Sequence, residues 1–309
     1  MQNTSSGTAA VLSLLLCVVG LMFSASTPAI DPVAINQVAA IQGVNRGYTR
    51  PLVVGIFPRR NATQTVTLFK PLLDYVGDQL NLKIKLVTAR DFASFWRGVE
   101  ERRFDLVHFN QYHYVKSHAK NGYDAILSNE EQGESEMAGA IYARRDSGMD
   151  TLADLKGRTI IFGGGRSAMM SYIVPTDLLR SAGLKQGDYT EKFAVSPPNS
   201  VYAVYFRQAD AAGAGEVVQR LPSVEKRIDI KQLKTLAVSQ PLPQLVWAVR
   251  REMDDEFRKK LVQIMTTLED SVEGEKLLKK AKLTGLHSIT DADYQGVREI
   301  VDKILGERY

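Results

Sequence analysis

Cysteine is nearly absent from this chain. Cys17 is the only one in 309 residues, and it sits in the uncharged segment that opens the sequence. Once that segment is removed, no disulfide, thiolate metal site or cysteine nucleophile is possible, and core burial alone must hold the fold. An excess of one charge is also missing. The 39 Lys and Arg against 35 Asp and Glu leave +4; no basic stripe gathers, so a nucleic-acid partner is not indicated. There is no HExxH pair, no P-loop and no local serine–histidine–acid set, so nothing points to catalysis. The 23 glycines and 11 prolines follow no repeat, which excludes a collagen-like chain. With 44% hydrophobic and 24% charged residues, the composition is globular rather than disordered.

A run long enough to span a membrane is missing too. The apolar stretch over residues 9–23 is 15 residues long, short of the roughly 20 that a helical span needs. The first side chain charged at neutral pH is Asp31. An uncharged segment with a short apolar core fits an export signal. Small residues at Ser24, Ala25 and Ser26, then Thr27, Pro28 and Ala29, offer cleavage sites. Residues 1–29 are therefore expected to be a signal peptide and the protein to be periplasmic. A lipid anchor at Cys17 is not expected, because Leu16 stands where a lipoprotein signal needs a small residue. Residues 31–48 show no strong pattern and read as a leader.

From residue 50 onward the chain is strongly patterned. Leu52-Val53-Val54-Gly55-Ile56 reads as a buried strand, Leu68, Leu72, Leu73, Val76 and Leu80 as one helix face, and residues 83–88 as a second strand. Asp91 is placed to cap a helix carrying Phe92, Phe95, Trp96 and Val99, and residues 104–109 read as a third strand. This β-α-β-α-β order is that of a parallel sheet with crossover helices. Further strands are expected at 138–143, 158–162 and 246–249, a β-α-β-like passage at 193–213, and helices at 167–182, 254–268, 274–282 and 291–305. The pattern predicts an α/β protein of two lobes, the first from residues 50–143 plus 247–309 and the second from 144–246.

Several motifs carry a family resemblance. They are Asp154-Leu155-Lys156-Gly157-Arg158-Thr159-Ile160-Ile161-Phe162-Gly163 followed by Tyr172-Ile173-Val174-Pro175, and Lys70-Pro71-Leu72-Leu73-Asp74-Tyr75-Val76. Pro58 after the first strand, Phe104-Asp105-Leu106-Val107, and Ala209-Asp210-Ala211 with Gly213 agree with them in order and spacing. Over roughly residues 50–305 the chain resembles the periplasmic solute-binding proteins of phosphonate, phosphite and phosphate ABC transporters. The resemblance implies the type II periplasmic-binding-protein fold: two lobes, each a mainly parallel sheet flanked by helices, with the ligand in the cleft between them. It also implies capture of a small anionic or zwitterionic solute by hinge closure and delivery to an ABC permease, with no cofactor and no catalysis; a monomer is expected. A ligand-sensing protein that signals to a membrane kinase or cyclase is the alternative, and an enzyme on the same fold comes after it.

The sequence departs from the family at one place. Phosphonate binders hold the oxyanion on a Ser-Thr-Ser-Gly turn. Aligned on Gly163, the first serine falls on Ser167; aligned on Tyr172 and Pro175, the four residues fall on Ala168, Met169, Met170 and Ser171. A histidine that helps hold the phosphonate in some members falls on Pro197.

The candidate ligand residues lie at strand ends, where open α/β sheets bind ligands. Arg59, Arg60, Asn61, Thr63 and Thr65 follow the first strand, and an arginine there can grip an oxyanion in bidentate fashion. Asn110, Gln111, Tyr112 and His113 follow the third strand and offer amide donors and aromatic walls. Gly165 and Ser167 lie in a glycine-rich strand-to-helix turn, with Met170 and Ser171 just beyond. Asn199 is a candidate helix cap and cleft donor, and Glu216 a candidate acceptor for a ligand amine or for Arg166. His108, His113 and His118 recur every five residues, which does not bring three imidazoles to one helix face, so no metal site is expected.

Overall fold

In the computed structural model, which describes residues 50–309, the chain alternates strands and helices from its first described turn. The expected signal peptide, Cys17 and the leader up to residue 48 lie outside the described residues. Strand β1 (Leu52–Ile56) leads to the helix Ala62–Leu80, β2 (Ile84–Thr88), the helix Phe92–Glu100 and β3 (Leu106–Phe109). Each helix starts where its sequence supplies a cap: Asn61 accepts from the Gln64 amide at 2.9 Å and Asp91 from the Ser94 amide at 2.8 Å. The helix Gln111–Asn121 then leads to β4 (Tyr123–Glu130), β5 (Glu136–Met137) and β6 (Gly139–Arg144). The rest of the strands are β7 (Thr159–Gly163), β8 (Thr190–Ala194), β9 (Ala211–Gly215), β10 (Leu233–Val238), β11 (Leu242–Pro243), β12 (Val246–Arg250) and β13 (Gly285–Ser288).

These strands form a six-stranded sheet in the order β13-β4-β12-β3-β1-β2, a five-stranded sheet in the order β10-β6-β9-β7-β8, and the pair β11-β5 between them in sequence. The crossover pairs are parallel: β1 with β2 and β3, and β7 with β8 and β9. The strands that arrive from the other sheet run the opposite way. β12 begins with Val246 opposite Phe109, the last residue of β3, and β6 begins with Gly139 opposite Gly215, the last residue of β9. Each therefore comes in at the edge where the parallel strands end, and it must run antiparallel. The same register puts the two carboxyl edges at the crossing between the sheets. β6 already belongs to the second sheet, so the chain crosses over residues 131–138, earlier than the sequence pattern suggested, and returns over 239–245.

Apolar side chains fill both faces. Phe69, Leu72, Leu73 and Val76 from the helix Ala62–Leu80 pack with Trp247, Phe257 and Leu261 on one side of the first sheet. Phe109, Tyr114 and Val246 belong to a second cluster that continues into Ile160, Phe162, Met169 and Tyr172 of the second sheet's layer. The helix Gln295–Leu305 bridges the two layers: Arg180 donates to the carbonyls of Lys303 (2.7 Å) and Ile304 (3.2 Å).

The expected helix over 167–182 is broken. Residues Met169–Ile173 form one wide turn in which Val174 donates to the Met169 carbonyl, and the α-helix is Val174–Ser181. Pro175 carries no N–H, so it suits the first turn of a helix but not its interior.

Candidate ligand site

At the carboxyl ends of β1 and β3 lies a cavity of about 10 Å³ lined by Ile56, Phe57, Arg59, Arg60, Thr65, Phe69 and His108. That is room for one water-sized atom group. Arg59 is paired with Glu131 at 2.8 Å. Arg60 is half-buried and makes no ion pair or hydrogen bond with a described residue. Burial, reinforced by the neighbouring charge of Arg59 and opposed by Glu131, lowers its pKa to about 10. Glu131 is pushed up by its burial, but the charge and hydrogen bond of Arg59, with the charge of Arg60, outweigh this and hold it below the usual carboxylate range.

His108 forms the inner wall. It is 2% exposed, and neither ring nitrogen has a hydrogen-bond partner among the described residues. Its ring stacks on Trp247 at 4.5 Å, with Phe57 at 5.4 Å and Phe69 at 5.6 Å. Burial drives its pKa down to about 3, so the ring is neutral at physiological pH. Thr65 also lines the cavity, but its hydroxyl donates back to the Asn61 carbonyl at 3.1 Å. Asn61 and Thr63 are exposed, the former occupied as the helix cap.

The residues after β3 have divided duties. Asn110 caps the helix Gln111–Asn121 through its Oδ1, which accepts from the His113 amide at 2.8 Å and lies 2.8 Å from His113 Nδ1. A carbonyl oxygen only accepts, so Nδ1 carries the ring proton. The Asn110 Nδ2 donates across the cleft to the Ser167 carbonyl at 3.4 Å. Gln111 is fully buried, and its Nε2 contacts Met137 Sδ (3.0 Å) and the Pro243 carbonyl (2.8 Å), one in each crossing strand. Its amide nitrogen is thus committed to β5 and β11, while its buried Oε1 has no hydrogen-bond partner among the described residues. Tyr112 turns to the carboxyl terminus, donating to Glu307 at 2.9 Å. His113 stacks on Phe92 at 5.3 Å, and burial lowers its pKa to about 3.

On the second sheet, β7 ends in the glycine turn. A Cβ on Gly163 would stand 2.3 Å from Pro197 Cα, so only glycine lets this strand end approach the helix Pro197–Tyr205. Gly164 has φ +101°, and Gly165 is exposed with open space around it. Ser167 reaches the first lobe through its backbone carbonyl. Met170 and Ser171 are 7% and 4% exposed, and Met170 belongs to the shared core. Two roles read from the sequence are corrected here. Ser196, not Asn199, holds the cap position of the helix Pro197–Tyr205, and Asn199 is an exposed residue of its first turn. Arg166 pairs with Glu191 and lies over Tyr172 and Phe193, whereas Glu216 faces Arg220 at 3.3 Å.

Sequence reading missed His108 and Glu131 as site residues. A histidine inside the otherwise apolar strand Leu106–Phe109 was the available signal for the first. Glu131 follows β4, a strand that carries no clear alternation. No group of three or more His, Cys, Asp or Glu among the described residues is arranged to hold a metal ion.

The family model for "ABC transporter, phosphonate, periplasmic substrate-binding protein" matches residues 54–294, well over half of the chain. The protein belongs to this family. A curated relative is the phosphate-import protein PhnD of Mycolicibacterium smegmatis, 22% identical over 279 residues that cover 83% of this chain and 86% of the relative. Two solved structures share the architecture. The binding protein component of an ABC phosphonate transporter from Pseudomonas aeruginosa superposes with a TM-score of 0.68 at 18% identity, covering 81% of this chain and 85% of that one. PhnD1 from Prochlorococcus marinus, in complex with methylphosphonate, gives a TM-score of 0.70 at 17% identity, covering 83% and 98%. At such identities the structures establish the fold, which is the type II periplasmic-binding-protein fold. Family membership establishes a periplasmic substrate-binding component of an ABC transporter.

Proposed function

We propose that this protein captures a small phosphorus oxyanion, or a zwitterion carrying one, at the carboxyl end of β1 and presents it to its ABC permease as an exported monomer, without turnover. One observation carries the choice of site: Arg60, half-buried and unpaired among the described residues, faces a cavity whose inner wall is the imidazole of His108, also without a hydrogen-bond partner among them. A desolvated guanidinium without a carboxylate partner is unfavourable unless an anion completes it. The methionines at 169 and 170 are in keeping with this shift of anion contact, because they stand in the turn where other members of the family place hydroxyls.

Closure follows from the two crossing segments and from Asn110, which meets Ser167 on the other sheet. A solute seated at Arg60 lies at the same carboxyl edge as that contact, so its binding energy favours the closed arrangement. A thermal-shift screen of the protein without residues 1–29 tests the reading, using phosphate, phosphite, methylphosphonate, 2-aminoethylphosphonate, sulfate and amino acids as probes. A ligand at 100 times its dissociation constant adds about 2.7 kcal/mol to stability. A rise with phosphorus oxyanions and none with the amino acids is expected. A rise confined to the amino acids would contradict the proposal.

A further inference from the structure

We infer that this site selects the singly charged form of its solute, because it offers one uncompensated positive charge: Arg60 stands alone, while Arg59 is neutralised by Glu131. The inference rests on the proposed placement of the solute at the end of β1. The charged groups around the cavity can be counted. Arg59 and Arg60 come from the loop after β1, Glu131 from the loop after β4, and the first turn of the helix Ala62–Leu80 holds no acidic residue. From β3 comes only His108, kept uncharged by its burial between Phe57, Phe69 and Trp247.

The chemistry of His108 agrees with that charge count. A neutral imidazole has one N–H donor and one lone-pair acceptor. It can turn the donor to an anionic oxygen or the acceptor to an acidic hydroxyl, and in neither case does it add charge. The cavity admits a single oxygen-sized group, so one corner of the solute meets Arg60 and His108 together. A monoanion is balanced by Arg60. A dianion leaves one negative charge uncompensated in a partly desolvated site, and Glu131 repels it.

Calorimetric titration with methylphosphonate, from below to about one pH unit above its second ionisation and short of the pH near 10 at which Arg60 loses its own proton, tests this. The monomethyl ester of methylphosphonic acid, which stays singly charged, is the control. The dissociation constant of methylphosphonate should rise about tenfold per pH unit above that ionisation, while that of the ester stays flat. Glu131→Gln, with its fold checked by circular dichroism, should flatten the rise by adding one net positive charge. The wild-type profile decides the matter by itself if that variant does not fold. Methylphosphonate affinity that holds or strengthens through its second ionisation overturns the inference, as does an ester that weakens in parallel. Silence from methylphosphonate, phosphite and 2-aminoethylphosphonate at every pH would instead overturn the placement of the solute on which the inference rests.

Discussion

Arg59 and Arg60 are chain neighbours in opposite electrostatic situations. Arg59 is closed off by Glu131 at 2.8 Å, and Arg60 has no partner among the described residues and loses basicity to burial. An ion pair beside a lone cation makes a site of unit charge from a doubly basic loop. It also assigns different consequences to two adjacent and chemically identical side chains. Arg59→Met frees Glu131 beside the cavity and should weaken anion binding through repulsion. Arg60→Met removes the contact itself. Measured affinities for a phosphorus oxyanion should fall in both variants, and lowering the pH toward protonation of Glu131 should restore binding in Arg59→Met alone.

Asn110 has two separable jobs. Its oxygen caps the helix Gln111–Asn121, and its nitrogen reaches Ser167 on the other sheet. Asn110→Ala loses both, and urea denaturation should show a cost of about 1 kcal/mol or more. Asn110→Asp keeps the cap acceptor but cannot donate to Ser167. It should retain most of the stability while binding solute less tightly. Equal stability losses in the two variants would place no weight on the cap.

The buried histidines make stability depend on pH in a definite direction. His108 and His113 titrate near pH 3 in the folded protein, against about 6.5 when exposed. Above about pH 6.5 neither form carries the extra proton, and their contribution is constant. As pH falls from there toward 3, the unfolded chain takes up protons that the folded chain refuses, so stability declines. Each histidine adds a slope of up to about 1.4 kcal/mol per pH unit. Urea midpoints between pH 7.5 and 5 should show the decline, and His108→Asn should have the shallower slope. A slope unchanged by that variant would mean that His108 takes up its proton in the fold over the same pH range as in the unfolded chain.

Gly163→Ala should destabilise by about 1–3 kcal/mol, since the added methyl meets Pro197 backbone rather than a movable side chain. Gly165→Ala, where the same methyl meets open space, should be nearly silent. Thermal melts of the two variants check the contrast.

The fold was legible wherever periodicity or capping chemistry was local. The β-α-β-α-β start followed from the apolar run at Leu52–Ile56, the helical spacing of Leu72, Leu73 and Val76, and the cap at Asp91. β13 and β4 were not legible, because their residues are polar or mixed and owe their pairing to neighbours distant in sequence. The break at Met169–Ile173 was masked by an apolar pattern that suits any helix type. At the site, the arginines were visible at a strand end, but which one was free depended on Glu131, 72 residues away in the chain. Gln111 looked like a ligand donor for the same reason: its commitment to Met137 and Pro243 exists only after folding.

The placement of the solute at Arg60 is tested most directly by the affinity of Arg60→Met for methylphosphonate, measured by calorimetry beside the wild-type protein below the second ionisation of the probe. A hydrogen bond to a charged group contributes about 1.5–3 kcal/mol, so a loss of about 10- to 100-fold is expected, with the melting temperature of the unliganded protein preserved. Undiminished affinity in a folded Arg60→Met protein would contradict that placement and move the solute away from the end of β1.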